Sequence, residues 1–80
     1  MSETLTLYTR SYCSLCEEMH RALLPFQQRY GFALELVDVD SDPALEARFD
    51  ELVPVLMAGE REICHHHLDE AALRSYFSQA

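Results

Sequence analysis

Tyr12-Cys13-Ser14-Leu15-Cys16 is the stretch whose reading decides the fold. Ahead of it, Thr4-Leu5-Thr6-Leu7-Tyr8 alternates with period two and is rich in β-formers, so it reads as a strand. Behind it, Leu15, Met19, Ala22, Leu23 and Phe26 recur at helical spacing. The cysteine pair therefore opens a helix directly after a strand. That context favours a redox C-x-x-C over one that holds zinc. A helix N-terminus carries unpaired N–H groups and about half a positive charge, and both favour thiolate over thiol. A free cysteine has a pKa of about 8.5, which such a setting lowers by one to several units. Cys13, at the helix edge, is the expected nucleophile. Cys16, one turn on, is the expected resolving thiol.

Working outward, residues 4 to 9 are the first strand and Arg10-Ser11-Tyr12 the connecting loop. The first helix is expected from Ser14 to about Arg29, with Pro25 kinking or interrupting it. Gly31 supplies its C-terminal turn. Phe32 to Asp40 reads as the second strand. Asp42 followed by Pro43 is a helix-start signal for a short helix to about Glu51, with Leu45 and Phe49 facing inward. Val53 to Met57 and Arg61 to Cys64 form a hairpin around Ala58-Gly59-Glu60. His65-His66-His67 reads as loop. Asp69 caps a last helix to about Ser78 that buries Ala72, Leu73, Tyr76 and Phe77. The order is βαβαββα, an α/β class. It predicts a mixed four-stranded sheet with helices on both faces, its first two strands parallel through a right-handed crossover.

The chain has 80 residues, one domain spanning 1–80 by length. Apolar residues make up 49%, which fits a globular domain and excludes disorder. No stretch approaches the ~20 apolar residues of a membrane span, and no signal peptide is expected. The cytoplasm is the expected compartment, where a C-x-x-C pair is more often catalytic than structural. Three cysteines, an odd number, argue against a disulfide-stapled secreted fold. Net charge is −8, from fourteen acids against six arginines and no lysine. No basic patch exists to release counterions from a phosphate backbone, so nucleic acid is not expected as a partner.

With these residues in place, the chain resembles the glutaredoxin branch of the thioredoxin-fold superfamily along essentially its whole length. The element order, the C-x-x-C opening the first helix and Val53-Pro54 before the third strand carry the resemblance. It implies that Val53–Pro54 is cis, faces the cysteine pair, and that the Val53 backbone pairs with substrate like an added strand. Arg10, three residues before Cys13, stands where glutaredoxins commonly place a basic residue on a carboxylate of glutathione. Tyr12 would form a wall of the same groove. The chain departs from the family in Ser14-Leu15 between the cysteines and in Leu52 before the Val-Pro pair. It departs again in Cys64-His65, where a Gly-Gly pair normally lets the glutathione backbone approach. Glutathione is therefore expected to be handled poorly.

The expected function is thiol–disulfide oxidoreduction: electron transport through a redox-active disulfide, with Cys13 and Cys16 catalytic and Arg10, Tyr12, Val53 and Pro54 binding substrate. The expected partners are a disulfide-containing protein or a glutathione-type small molecule, with a monomeric chain. No cofactor or metal is expected, although glutathione is one candidate reductant and a dedicated reductase another. Two other classes stay open: a metal or iron–sulfur protein using Cys13 and Cys16, and a non-catalytic thioredoxin-fold binding module. Cys64 is expected near the active-site end, as a strand-end residue or a third thiol.

Overall fold

Leu5 and Leu7 point to one face of their strand and Tyr8 to the other, and this alternation sets up two cores. In a computed structural model that describes residues 3–78, β1 (Thr4–Thr9) lies inside a four-stranded sheet of order β2-β1-β3-β4. β2 (Ala33–Asp38) runs parallel to it, pairing Leu7 with Leu36 and Thr9 with Asp38. β3 (Val55–Ala58) runs antiparallel, pairing Leu7 with Leu56 and Tyr8 with Val55. β4 (Arg61–His65) completes a hairpin with β3, Leu56 facing Cys64, with a register irregularity between Leu56 and Met57.

Under one face pack α1 (Ser14–Tyr30) and α3 (Glu70–Ser78). Met19, Leu23 and Leu73 meet Leu5, Leu7, Leu56 and Cys64 there, in the larger core. On the other face α2 (Pro43–Phe49) buries Phe49 against Val39, Val55 and Met57. The Phe49 ring stacks on Tyr8 at 4.5 Å between centroids. Each fully buried leucine contributes about 1.5–3 kcal/mol over leaving it in water. The helices thus cover both faces, as the βαβαββα order implies. No helix among the described residues is long and apolar enough to cross a membrane.

Several element ends differ from the sequence expectation, each for a local reason. α1 continues through Pro25 to Tyr30 without interruption. Pro25 lies on the exposed side of the helix, so water can serve the carbonyl that loses its partner. Gly31, at φ 70°, ends the helix by donating its N–H to the Gln27 carbonyl. β2 stops at Asp38, not Asp40. The Asp38 carboxylate accepts the Asp40 N–H at 2.9 Å, and Ser41 donates to the Asp38 carbonyl at 2.6 Å. These side-chain bonds turn Val39–Ser41 into one 3-10 turn. α2 ends at Phe49, two residues short of Glu51. β3 begins at Val55, because Pro54 has no N–H to give a ladder and the Val53 N–H goes back to the Phe49 carbonyl at 3.2 Å. β4 takes in His65, which pairs with Val55.

Candidate functional site

Cys13 is the N-cap of α1, with extended backbone angles, and its sulfur accepts the Cys16 N–H at 3.1 Å. An N-cap normally offers a hydroxyl or carboxylate oxygen to these orphan N–H groups; here a sulfur takes that place. Such a bond is stronger to an anion than to a neutral acceptor, so the helix end favours thiolate at Cys13. The two sulfurs are at disulfide-bonding distance, with Cα atoms 5.2 Å apart. Burial divides the pair. Cys16 is 3% exposed and covered by the core, whereas Cys13 is only half-buried. Attack from outside can reach Cys13; Cys16 can reach only Cys13.

The loop before the pair is held from two sides. The Arg10 guanidinium bonds both Asp40 carboxylate oxygens, through Nη2 at 3.0 Å and Nε at 3.2 and 3.3 Å. Its Nη2 also meets the Asp50 carboxylate at 2.6 Å, and Nη1 donates to the Asp50 carbonyl at 3.4 Å. Hydrogen bonds to Asp40 and then Asp50 raise the Arg10 pKa and hold the charged form. Arg10 thereby joins the end of β1, the turn after β2 and the end of α2. The residue expected to greet a glutathione carboxylate carries two carboxylates of its own chain.

Val53–Pro54 is cis, and Pro54 is buried. Tyr8 pairs with Val55 in antiparallel register, so Pro54 stands at the end of the sheet from which the Arg10–Cys13 loop departs. The Pro54 carbonyl accepts the His66 N–H at 2.8 Å. The His66 ring reaches the Glu51 carbonyl at 2.7 Å, and a carbonyl can only accept, so Nε2 carries the proton. His66 sits at φ 65°, in the left-handed region usual for glycine. It braces the Pro54 loop from β4, a role the sequence reading passed over by taking three histidines as an undifferentiated polar loop. Nothing in the residue type at position 66 announced the positive φ of that turn.

Cys64 is the penultimate residue of β4, a strand-end residue at the sheet end where His65 pairs with Val55 and the His66 N–H meets the Pro54 carbonyl. Its side chain faces the larger core and is 7% exposed. Burial pushes its thiol pKa up. Because the folded value exceeds the unfolded one, the stabilisation from the neutral thiol is complete below the unfolded pKa of about 8.5 and is lost as pH rises through the folded value. With the Cys13–Cys16 disulfide closed, stability in urea is expected to decline as pH rises above about 8.5. Cys64→Ala should flatten that decline; an identical slope in both proteins would contradict it.

Two clefts flank the start of α1. One, of about 230 Å³, brings together Arg10, Tyr12, Cys13, Glu17, His20 and Leu36. Tyr12 stands fully in solvent at φ 59°, and Leu36 is 50% exposed. The other, of about 290 Å³, runs between α1 and the loop leading to α3, with Leu15, Glu18, His66 and Leu68 on its walls. Of the residues read from sequence, Arg10, Tyr12, Cys13 and Cys16 share the first cleft. Val53 and Pro54 lie at the same sheet end but line neither. His20 and Leu36 join through the fold alone. No group of three or more His, Cys, Asp or Glu side chains suited to a metal ion occurs among the described residues.

The same architecture recurs in known proteins. A protein of Nitrosomonas europaea solved in solution by NMR superposes with a TM-score of 0.87 at 35% identity, over 95% of this chain and 92% of that one. An X. campestris protein solved by X-ray is 39% identical, with a TM-score of 0.73 over 95% and 97% of the two chains. Thioredoxin 1 from Thermosipho africanus, 19% identical, shares the fold with a TM-score of 0.63 over 94% of each chain. An uncharacterized protein of Mycobacterium tuberculosis is 31% identical over 74 residues, covering 86% of this chain and 76% of the relative. A family model described as Glutaredoxin-like domain (DUF836) matches residues 4–78. That match takes in both cysteines, the cis-proline and all seven helices and strands, and the chain belongs to this glutaredoxin-like family of the thioredoxin fold.

Proposed function

We infer that the protein is a thiol–disulfide oxidoreductase. One observation carries the reading: an accessible Cys13 sulfur that receives a helix N–H, with the buried Cys16 sulfur at bonding distance behind it. The Cys13 thiolate attacks one sulfur of a substrate disulfide, forming a mixed disulfide and expelling the other sulfur as thiolate. Cys16 then loses its proton and attacks the Cys13 sulfur. This closes Cys13–Cys16 and releases the second substrate thiolate. The protein is oxidised by two electrons and the substrate reduced by two. A cellular thiol such as glutathione, or a dedicated reductase, restores the dithiol, and a reducing cytoplasmic setting belongs to this reading.

Arg10 and Tyr12 shape the approach to Cys13. An extended substrate beside Pro54 would be met through the Val53 carbonyl, since the Val53 N–H already serves Phe49. Equilibration in a series of reduced and oxidised glutathione buffers, with acid quench and alkylation, should show one reversible two-electron transition confined to Cys13 and Cys16. A pair that stays reduced, or oxidises without returning, would remove the assignment.

A further inference from the structure

The pairing of Arg10 bears on which disulfides the site accepts. Arg10 is the one arginine lining the cleft that holds Cys13 and Cys16. Two carboxylates close on it, Asp40 at 3.0 Å and Asp50 at 2.6 Å. Its single positive charge is outnumbered, so the cluster presents negative charge to an incoming molecule. Glu17, exposed in the first turn of α1, adds another carboxylate to the same wall. Glu18 lines the groove across the helix. The whole chain adds to this field with a net charge of −8. His20 is the remaining basic group in the cleft. The uncharged contacts on offer are the open ring of Tyr12 and the half-exposed Leu36.

We propose that the double anchorage of Arg10 by Asp40 and Asp50 makes the Cys13 cleft select disulfides whose flanking groups are neutral or cationic, and discriminate against anionic ones. This rests on the reading of Cys13 and Cys16 as a redox pair and names the substrate class of that site. An anionic disulfide in the cleft brings its carboxylates beside Glu17 and toward an Arg10 whose charge Asp40 and Asp50 already hold. A neutral or basic peptide segment with an apolar neighbour to its cysteine meets Tyr12 and Leu36 instead. The field also concentrates cationic partners before contact and dilutes anionic ones, an effect that salt screens.

The test uses the pre-reduced native protein in single turnover at about pH 8 and about 10 mM salt, where the Debye length is about 30 Å. Three probes of similar size are compared: cystamine, bis(2-hydroxyethyl) disulfide and 3,3′-dithiodipropionate, which are cationic, neutral and anionic. Each rate is divided by that of dithiothreitol with the same probe, which removes leaving-group differences. The expected order is cationic, then neutral, then anionic, with about tenfold or more between the extremes. At about 0.5 M salt that ratio should fall to about twofold. Asp40→Asn with Asp50→Asn removes the two negative charges that offset Arg10 and should raise the anionic rate several-fold relative to the neutral one. The native ratio and its salt dependence decide the matter by themselves if that variant does not fold. An anionic probe as fast as the cationic one, or a ratio indifferent to salt, overturns the proposal while leaving the redox reading intact. Failure of all three probes to oxidise the pair overturns both.

Discussion

Cys13→Ser is expected to remove thiol–disulfide exchange altogether, by about a thousandfold or more, whereas Cys16→Ser should keep the first step and lose the second. The asymmetry follows from burial. Cys13 is only half-buried and receives the Cys16 N–H on its sulfur, while Cys16 is 3% exposed. A serine hydroxyl at position 13 can still cap the helix, since serine is among the preferred N-cap residues, so the fold should survive. It cannot supply a thiolate near neutral pH. In the Cys16→Ser protein the mixed disulfide on Cys13 has no neighbour to resolve it and should accumulate to about one equivalent. Intact-mass measurement after mixing with a labelled small disulfide reads both outcomes. A mixed disulfide trapped on Cys16 in the Cys13→Ser protein would reverse the roles assigned here.

Leu7→Ala should produce the largest loss of stability. Leu7 is fully buried and pairs with Leu36 on one side and Leu56 on the other, so its side chain lies where β2, β1 and β3 share the core beneath α1. Removing three carbons there costs the transfer term and leaves a cavity, about 3–4 kcal/mol together. A chain of this size is stable by about 4–12 kcal/mol, so about a quarter or more of the total is at stake. With a urea m-value of about 1 kcal/mol/M, the midpoint should fall by roughly 3 M. Leu36→Ala is the matched control, since Leu36 is half exposed at the sheet edge and should lose about 1 kcal/mol or less. Equal losses at the two positions would mean that the edge strand is more deeply packed than its exposure indicates.

The signals that were legible in the sequence are local ones. Asp42 caps α2 through the Ala44 N–H at 2.9 Å, and Asp69 caps α3 through the Ala72 N–H at 3.0 Å. Gly31 takes the left-handed turn that ends α1. The alternation of Leu5 and Leu7, the period of Met19 and Leu23, and the strand–cysteine–helix junction were sufficient for the element order. Element ends were less legible, because the side chains of Asp38 and Ser41 compete with the ladder at distances of two or three residues.

Long-range partners were the least visible. Arg10 meets Asp40 and Asp50 across 30 and 40 residues, a meeting fixed by the parallel register of Thr9 with Asp38 and by the return of α2. The facing of Cys64 was hidden for a related reason. The family pattern set its distance from Pro54, but only the facing of β4 against β3 decides whether its side chain turns to the groove or to the core.

The strand order described above has a consequence for a chain emerging from the ribosome. β1 is made first, yet it lies inside the sheet, and its two neighbours arrive at very different times. Leu7 can pair with Leu36 once α1 and β2 are out, but its other partner, Leu56, comes 49 residues after Leu7 itself. Until then a nascent β1–α1–β2 unit leaves open the β1 edge that β3 later covers, flanked by Leu5 and Leu7 without their full cover. A chain exposed only as far as Glu51 would therefore hold an open half-sheet, whereas one exposed through Leu73 would hold a nearly closed one. Exposure to misassociation is thus greatest once β2 is out and β3 is not, and the docking of β3, β4 and α3 onto the waiting template ends it.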